Sequence, residues 1–428
     1  MAPENFEERI VWFALTKMYV FYFLGALYIV GPVLGWVLFA VVLLRYLRKD
    51  QGRALPFPVL IWIVGMIVML FCVVVGHLQQ HLSTAQLIKS SIGWAKGWAL
   101  MALFMLAGSC LNIRQELIVR ATMKVCLHTL LLLPLFIGAW VLRLPETAYV
   151  SPLKAIGGPG PEFFAVSLYE LDPGSGLPRW RIFTPWAPAL GFVANIFFLF
   201  AMAEKEARWR SIGMIASVLM ILMSQSRLAI VVLLFIIGVM LTLHYFRGWI
   251  LIAMIAAVFQ VFAFIGPWLI EGIGTVYENI KAARADSTRV REALARIAIE
   301  RWRSEAPVWG HGIVERGPHL VEYMPIGSHH SWYGLLFVKG VVGFTALAIP
   351  LFVSFILLIP KIHTSDIART GCLSCGLLFF YTFGENLEIL AYLIWPGLMA
   401  IGMAHAETLK TASIKNIGDQ RESAHGID

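Results

Sequence analysis

The chain has 428 residues, of which 59% are hydrophobic and 14% charged, with a mean hydropathy of +0.76. Soluble domains carry roughly 25% charged residues, so there is too little polar surface here to wrap a water-facing globule, and a string of soluble domains is excluded. The net charge of +8 reads as membrane topology rather than nucleic-acid binding, because Lys and Arg gather in cytoplasmic loops and the sequence carries no RNA- or DNA-binding motif.

A spanning helix needs about 20 mostly apolar residues. Runs of that kind fall near 11–29, 31–47, 55–76, 91–111, 121–142, 185–203, 211–225, 227–246, 248–270, 331–360, 370–384 and 387–404. They predict a single all-α polytopic membrane domain over 1–428 with about twelve transmembrane helices. The start, MAPENFEERI, is acidic where a signal sequence is basic, so the first run reads as a retained helix. Pro32 after Gly31 suggests the break between the first two spans, since proline disrupts a helix interior.

Orientation follows from the short loops. Arg45, Arg48, Lys49 and Arg53 form one basic cluster, Arg114, Arg120 and Lys124 another, and Lys205, Arg208 and Arg210 a third. With Lys361, Arg369 and a basic tail over 405–428, all fall on one side, which is assigned to the cytoplasm together with both termini. Two long connections then face outward, into the periplasm if this is a bacterial inner membrane. One spans 143–184 and is rich in Gly and Pro. The other spans 271–330, and long loops of this kind are usually functional. Within it, 286–303 has helical periodicity. Val290, Ala293, Leu294, Ile297 and Trp302 share one face, Arg289, Glu292, Arg296, Glu300 and Arg303 make the other, and Asp286 or Ser287 supplies an N-cap.

The five cysteines sit in or beside apolar runs, and the Cys372–Cys375 pair reads as packing rather than redox or metal chemistry. His311, His319, His329 and His330 lack a recognisable metal-ligand spacing, no cofactor is expected, and His77 and His81 read as structural.

Four outward-facing polar features collect at one membrane face. They are Arg179-Trp-Arg181-Ile-Phe-Thr-Pro-Trp186, Ser224-Gln-Ser226-Arg227, Arg289 at the start of the loop helix, and Gly310-His-Gly312 followed by Ser328-His329-His330-Ser331-Trp332-Tyr333. Three arginines around one pocket suit a diphosphate, because guanidinium groups pair with phosphate oxygens and stay charged. At a membrane the obvious diphosphate is a polyprenyl carrier, its tail among the helices. His329 and His330 are the candidate bases, since neutral imidazole accepts a hydroxyl proton near neutral pH. Glu385 and Glu388, between the last two spans, are candidates to orient a histidine or an arginine.

These residues resemble a known family. The glycine pair Gly310/Gly312, then His329-His330, then Gly340-Val-Val-Gly343 after the interval 331–339, resembles the C-terminal signature of the O-antigen ligase and polymerase superfamily. Ser-Gln-Ser226-Arg227 resembles its SxSR stretch, Arg289 an arginine opening its periplasmic helix, and 179–185 the segment before a central span. The likeness covers roughly 179–345. Two departures stand out: His330 occupies an Asn position, and Lys339 stands where the family often has an acidic residue. The resemblance implies a GT-C-like, metal-independent, inverting glycosyltransferase. Its donor would be O-antigen on undecaprenyl diphosphate and its acceptor a sugar hydroxyl of lipid A–core. His329 would act as base, Arg227 and Arg289, with Arg181 and Arg179, as diphosphate ligands, and Ser226, Gly310, Gly312 and Glu385 as supports. Ligation and polymerisation share carrier and histidine, so both stay open. A transporter, the alternative from another class, fits less well. The sequence shows no internal repeat and keeps its charges, Lys17 aside, at the rim.

Overall fold

The computed structural model describes residues 1–49, 55–172, 176–245, 285–327, 330–363 and 365–425. The span expected at 248–270 and the residues Ser328 and His329 lie outside this set. In chain order the helices are α1 (Phe6–Thr16), α2 (Met18–Phe23), α3 (Leu27–Leu47), α4 (Phe57–Gln79), α5 (Thr84–Lys96), α6 (Trp98–Cys110) and α7 (Gln115–Val141). Next come two short antiparallel ribbons, β1 (Thr147–Val150) with β2 (Ala165–Ser167) and β3 (Glu170–Leu171) with β4 (Pro178–Arg179). The second group of helices is α8 (Ala187–Ala203), α9 (Ala207–Ser224), α10 (Arg227–Tyr245), α11 (Ala285–Glu305), α12 (Ser331–Leu358), α13 (Asp366–Tyr381) and α14 (Leu387–His425).

Among the described residues, seven helical stretches are long and apolar enough to cross a membrane, and the apolar helices Ala187–Ala203 and Arg227–Leu243 are shorter. The protein is therefore a multi-pass, all-α membrane protein. Near the start of the chain the helices depart from the expected spans in two places. The first run is not one helix: α1 and α2 meet at Lys17, whose backbone leaves helical geometry. The break expected at Gly31-Pro32 falls earlier, between Leu24 and Ala26, and Pro32 lies inside α3. Pro32 lies past the first turn of that helix, so it forgoes the bond that an N–H there would make to the Tyr28 carbonyl.

Helices apolar all round belong in the middle of a bundle, and α6, α8 and the first half of α14 occupy it. All of Trp98–Ser109 is buried, as are nearly all of Ala187–Ala201 and Leu387–Ala404. Backbones approach closely where glycines allow it: a Cβ on Gly108 would lie 2.3 Å from the Met399 carbonyl, and one on Gly402 would lie 2.1 Å from that of Met105. This reciprocal small-residue contact locks α6 against α14, the packing mode that membranes favour over hydrophobic drive.

One end of the bundle is closed by acidic residues from the N-terminus. Glu8, buried in the first turn of α1, accepts from the Arg114 backbone N–H at 3.1 Å and from its guanidinium at 2.8 and 2.7 Å. Glu7 pairs with Arg45 at the end of α3, and Arg120 pairs with Glu204 at 2.8 Å. Several of the basic loop residues that argued for topology are thus neutralised by acids at the same end.

Arg114→Ala leaves the Glu8 carboxylate buried without its cation. Breaking a fully buried pair costs about 3–5 kcal/mol, and less is expected here because the Arg114 side chain is 35% exposed. Its thermal midpoint in detergent should fall well below wild type. That of Lys205→Ala, whose 74%-exposed side chain meets Glu116 at the surface, should barely move.

Candidate functional site

The site is built around a break in α12. Gly340 lies within that helix at φ +63°, ψ −166°, which separates a short first half, 331–339, from a long second half. An uninterrupted helix would bond the Val341 and Val342 N–H groups to the carbonyls of Phe337 and Val338. Here the segment 307–312 inserts between them. His311 and Gly312 donate N–H bonds to the Phe337 and Val338 carbonyls at 2.8 and 2.9 Å, while Pro307 and Val308 carbonyls accept from Val341 and Val342 at 3.0 and 3.3 Å. These four backbone groups of α12 are thereby satisfied. Side chains do not fit in this seam: a Cβ on Gly340 would meet the Val308 carbonyl at 2.1 Å, and one on Gly310 the Lys339 nitrogen at 2.4 Å. Gly310 and Gly312 also take positive φ, +71° and +76°, where glycine is the default residue. Gly343 makes room for the stem of Lys339, 2.2 Å from where its Cβ would be. Gly310, Gly312 and Gly340 thus serve a helix break.

His311 fixes the segment from within. It is buried, its Nδ1 lies 2.9 Å from the Phe337 carbonyl, its Nε2 lies 2.8 Å from Glu305 Oε2, and its ring stacks on Phe337. The Arg301 guanidinium and then His311 hold the Glu305 carboxyl down to about 2. His77 lies beneath Gly312, its Nδ1 and Nε2 at 2.8 Å from the Val73 carbonyl and 3.1 Å from Ser90 Oγ. It is a packed, satisfied histidine. The amphipathic α11 lies against the first half of α12: Val290, Ala293, Leu294 and Ala298 pack with Val321, Ile326, Phe337 and Val338. Ile297 and Trp302 are only partly buried, because 290, 294 and 298 form the tightest line along the helix.

The other end of the short half-helix is clipped to the turn between α13 and α14. The Ser331 N–H donates to the Thr382 carbonyl at 2.9 Å, and Ser331 Oγ donates to the Glu385 carbonyl at 2.7 Å and accepts from the Leu387 N–H at 3.1 Å. His330 is the N-cap residue of α12. Its Nδ1 faces the Tyr333 N–H at 3.5 Å, its ring stacks on Tyr333, and burial pushes its pKa down to about 4. Glu385, 5% exposed, accepts from Trp186 Nε1 at 2.8 Å. Burial raises its pKa to about 7, against the Trp186 hydrogen bond and the charge of Arg291, which lower it.

The arginines divide into two groups. Arg179 pairs with Glu170 at 3.2 Å and Asp172 at 3.4 Å. Arg181 is buried, donates to the Pro185 carbonyl at 2.5 Å, and lies 3.3 Å from Glu170 with its Nε not aligned for a hydrogen bond. Two of the four arginines expected at a diphosphate thus face carboxylates. Arg227 and Arg289 are exposed. Arg227 opens α10 just after Ser226, whose Oγ accepts from the Ala229 N–H at 3.3 Å. The Gln225 amide reaches the Pro178 carbonyl at 2.9 Å and Trp180 N–H the Met223 carbonyl at 3.1 Å, so the Arg227 turn and the 179–186 segment form one surface. Three participants were not singled out by pattern: Ser331, whose role depends on tertiary contact, Trp186 as the Glu385 donor, and Arg291, two residues from Arg289 on the flank that faces Glu385. His329, the candidate base, lies outside the described residues.

Residues 212–348 match the O-antigen ligase family model, a segment that holds Arg227, Arg289, the glycine pair, the histidine pair and the broken first half of α12. No curated protein matches the chain. The match supports an enzyme of the ligase and polymerase kind.

Because the folded Glu385 pKa lies above the usual carboxyl value, the native state holds its proton more tightly than the unfolded chain. That contribution to stability is complete below about pH 4.5 and is lost as pH rises to about 7. His330, with its pKa lowered from 6.5 to about 4, gives the opposite slope, gaining stability as pH rises through that window. Glu385→Gln keeps an acceptor for Trp186 and removes only the carboxyl term. Its thermal midpoint relative to wild type should therefore climb between pH 4.5 and 7. A flat difference would show Glu385 to be unperturbed.

Proposed function

We propose, on the premise that the likeness of residues 212–348 to the O-antigen ligase family model holds for the whole chain, that it is an O-antigen ligase. In this reading it transfers O-antigen polysaccharide from undecaprenyl diphosphate to a sugar hydroxyl of lipid A–core, at the periplasmic face of the bacterial inner membrane. The observation that carries the reading is the seam at Gly340. It gathers the glycine pair, the half-helix headed by the histidines and the arginine-bearing α11 into one body.

The chemistry needs a base, a bound diphosphate and an aligned acceptor. His329 takes the proton of the acceptor hydroxyl. The oxygen attacks the anomeric carbon as the bond to the diphosphate breaks, and undecaprenyl diphosphate leaves with inversion. His330 is occupied as the N-cap of α12, which favours His329 for this role. Arg227 and Arg289 take the direct diphosphate contacts and stabilise the charge of the leaving group, usually the largest catalytic term. Arg179 and Arg181, held by Glu170 and Asp172, order the loop beside them. No metal is given a role. A polymerase would use the same carrier and base with a different acceptor.

The test is a transfer assay with purified protein, undecaprenyl-diphosphate-linked O-antigen and lipid A–core in EDTA, with products separated on a gel. Wild type should cap the lipid A–core. His329→Ala should abolish capping, and Arg227→Ala should slow it at least about 10²-fold, by analogy with loss of an oxyanion donor. Longer carrier-linked chains in place of capped product would make the protein a polymerase. Near-wild-type turnover in Arg227→Ala would contradict the diphosphate assignment.

A further inference from the structure

Lys339 is the last residue of the short half-helix, directly before the Gly340 break. Its side chain is 4% exposed, and its ammonium lies 4.0 Å from Glu388 Oε2, in the first turn of α14. The same ammonium lies 5.9 Å from the centroid of the Trp98 ring. Glu388 is packed against the α5–α6 junction, where a Cβ on Gly97 would lie 2.5 Å from its Cγ. An ammonium buried this deeply in a membrane protein is costly, and an apolar side chain of the same length would pack more cheaply. Its charge has a use that its packing does not explain.

The geometry suggests that use. The half-helix 331–339 is short and capped by His330, which follows His329 in the sequence. At its first residue, Ser331 is tied by three hydrogen bonds to Thr382, Glu385 and Leu387. At its last residue, Lys339 reaches Glu388, one turn further along the same connection. Both ends are therefore anchored to residues 382–388, while the Pro307–Gly312 segment holds the break from the other side. We infer that the Lys339–Glu388 pair is a positioning device, which fixes the tilt of the histidine-bearing half-helix against α14 and so aligns the base with the bound donor. The inference rests on the transferase reading above. Lys339 touches no reacting atom in it and acts through the helix that it ends. It also gives a use to the lysine found where the resembled family often has an acid: here the acid, Glu388, comes from the neighbouring helix.

Misalignment of about 1 Å at a base can cost up to about 10²-fold in rate without weakening substrate binding. The experiment compares kcat, both KM values and the thermal midpoint for purified full-length wild type, Lys339→Met, Lys339→Arg, Glu388→Gln and the exchange Lys339→Glu with Glu388→Lys. Lys339→Met and Glu388→Gln should each lower kcat about 10-fold or more and leave KM for donor and acceptor within about twofold. Lys339→Arg should keep most of the activity, and the exchange should recover a substantial part of it. Wild-type kcat in a folded Lys339→Met or Glu388→Gln would overturn the inference. So would a loss that rises with KM, or one that neither Lys339→Arg nor the exchange repairs. If both single variants fail to fold, the pair is a folding device and the inference is equally overturned. Absence of any transfer by wild type would instead remove the transferase reading itself.

Discussion

An interrupted helix in a membrane has to dispose of its own backbone. Unpaired N–H and C=O groups in the hydrocarbon region cost several kcal/mol each, so a break survives only where other polar groups take them up. Here the uptake is reciprocal. Two N–H groups of the 307–312 segment replace those withdrawn from Phe337 and Val338, and two carbonyls of the same segment serve Val341 and Val342. The exchange leaves no orphan among these groups. It also makes the loop and the helix interdependent, because neither can move without reopening four bonds. The glycines at 310, 312 and 340 are consequences of this exchange, since backbone-to-backbone contact at these distances leaves no volume for Cβ atoms.

The break converts what would be a long hydrophobic span into a short helix with a free N-terminal end, and that end is where polar chemistry becomes affordable. Ser331 ties it to the α13–α14 turn, and the turn brings Glu385 and Trp186 with it. Two groups of opposite tendency result. Burial drives Glu385 toward its neutral acid and His330 toward its neutral base. Both shifts have the same physical cause, desolvation of the charged form.

Much of this was legible in the sequence, for identifiable reasons. Hydrophobic runs report a lipid solvent directly, so the multi-pass helical class was plain. The period of 286–303 nearly coincides with Ala285–Glu305, because α11 buries one stripe and exposes the other. What periodicity does not report is interruption. The α1–α2 joint at Lys17, the α5–α6 joint at Gly97 and the Gly340 break all fall inside apolar runs, and Pro32 drew the first boundary to the wrong place because α3 continues through it. The polar residues were found by type, but their partners were not. Arg179 and Arg181 looked available because Glu170 and Asp172 reach them only when the β3–β4 ribbon folds back. Ser331 and Glu388 were in view, but not what they hold, since their partners lie 54–56 and 49 residues away in sequence.

The division among the arginines follows from where helices begin. A helix N-terminus carries the positive end of the macrodipole, and a cation placed there is disfavoured by about 0.3–1 kcal/mol unless an anion is near. Arg227 is the first residue of α10 and Arg289 lies in the second turn of α11. Both therefore add charge where the backbone already presents it. Arg179 and Arg181 lie in and beside a β-ribbon, where no such field exists, and the chain supplies their carboxylates itself. A phosphate suits the first arrangement on two counts, as a partner for guanidinium and as the usual ligand of helix N-termini.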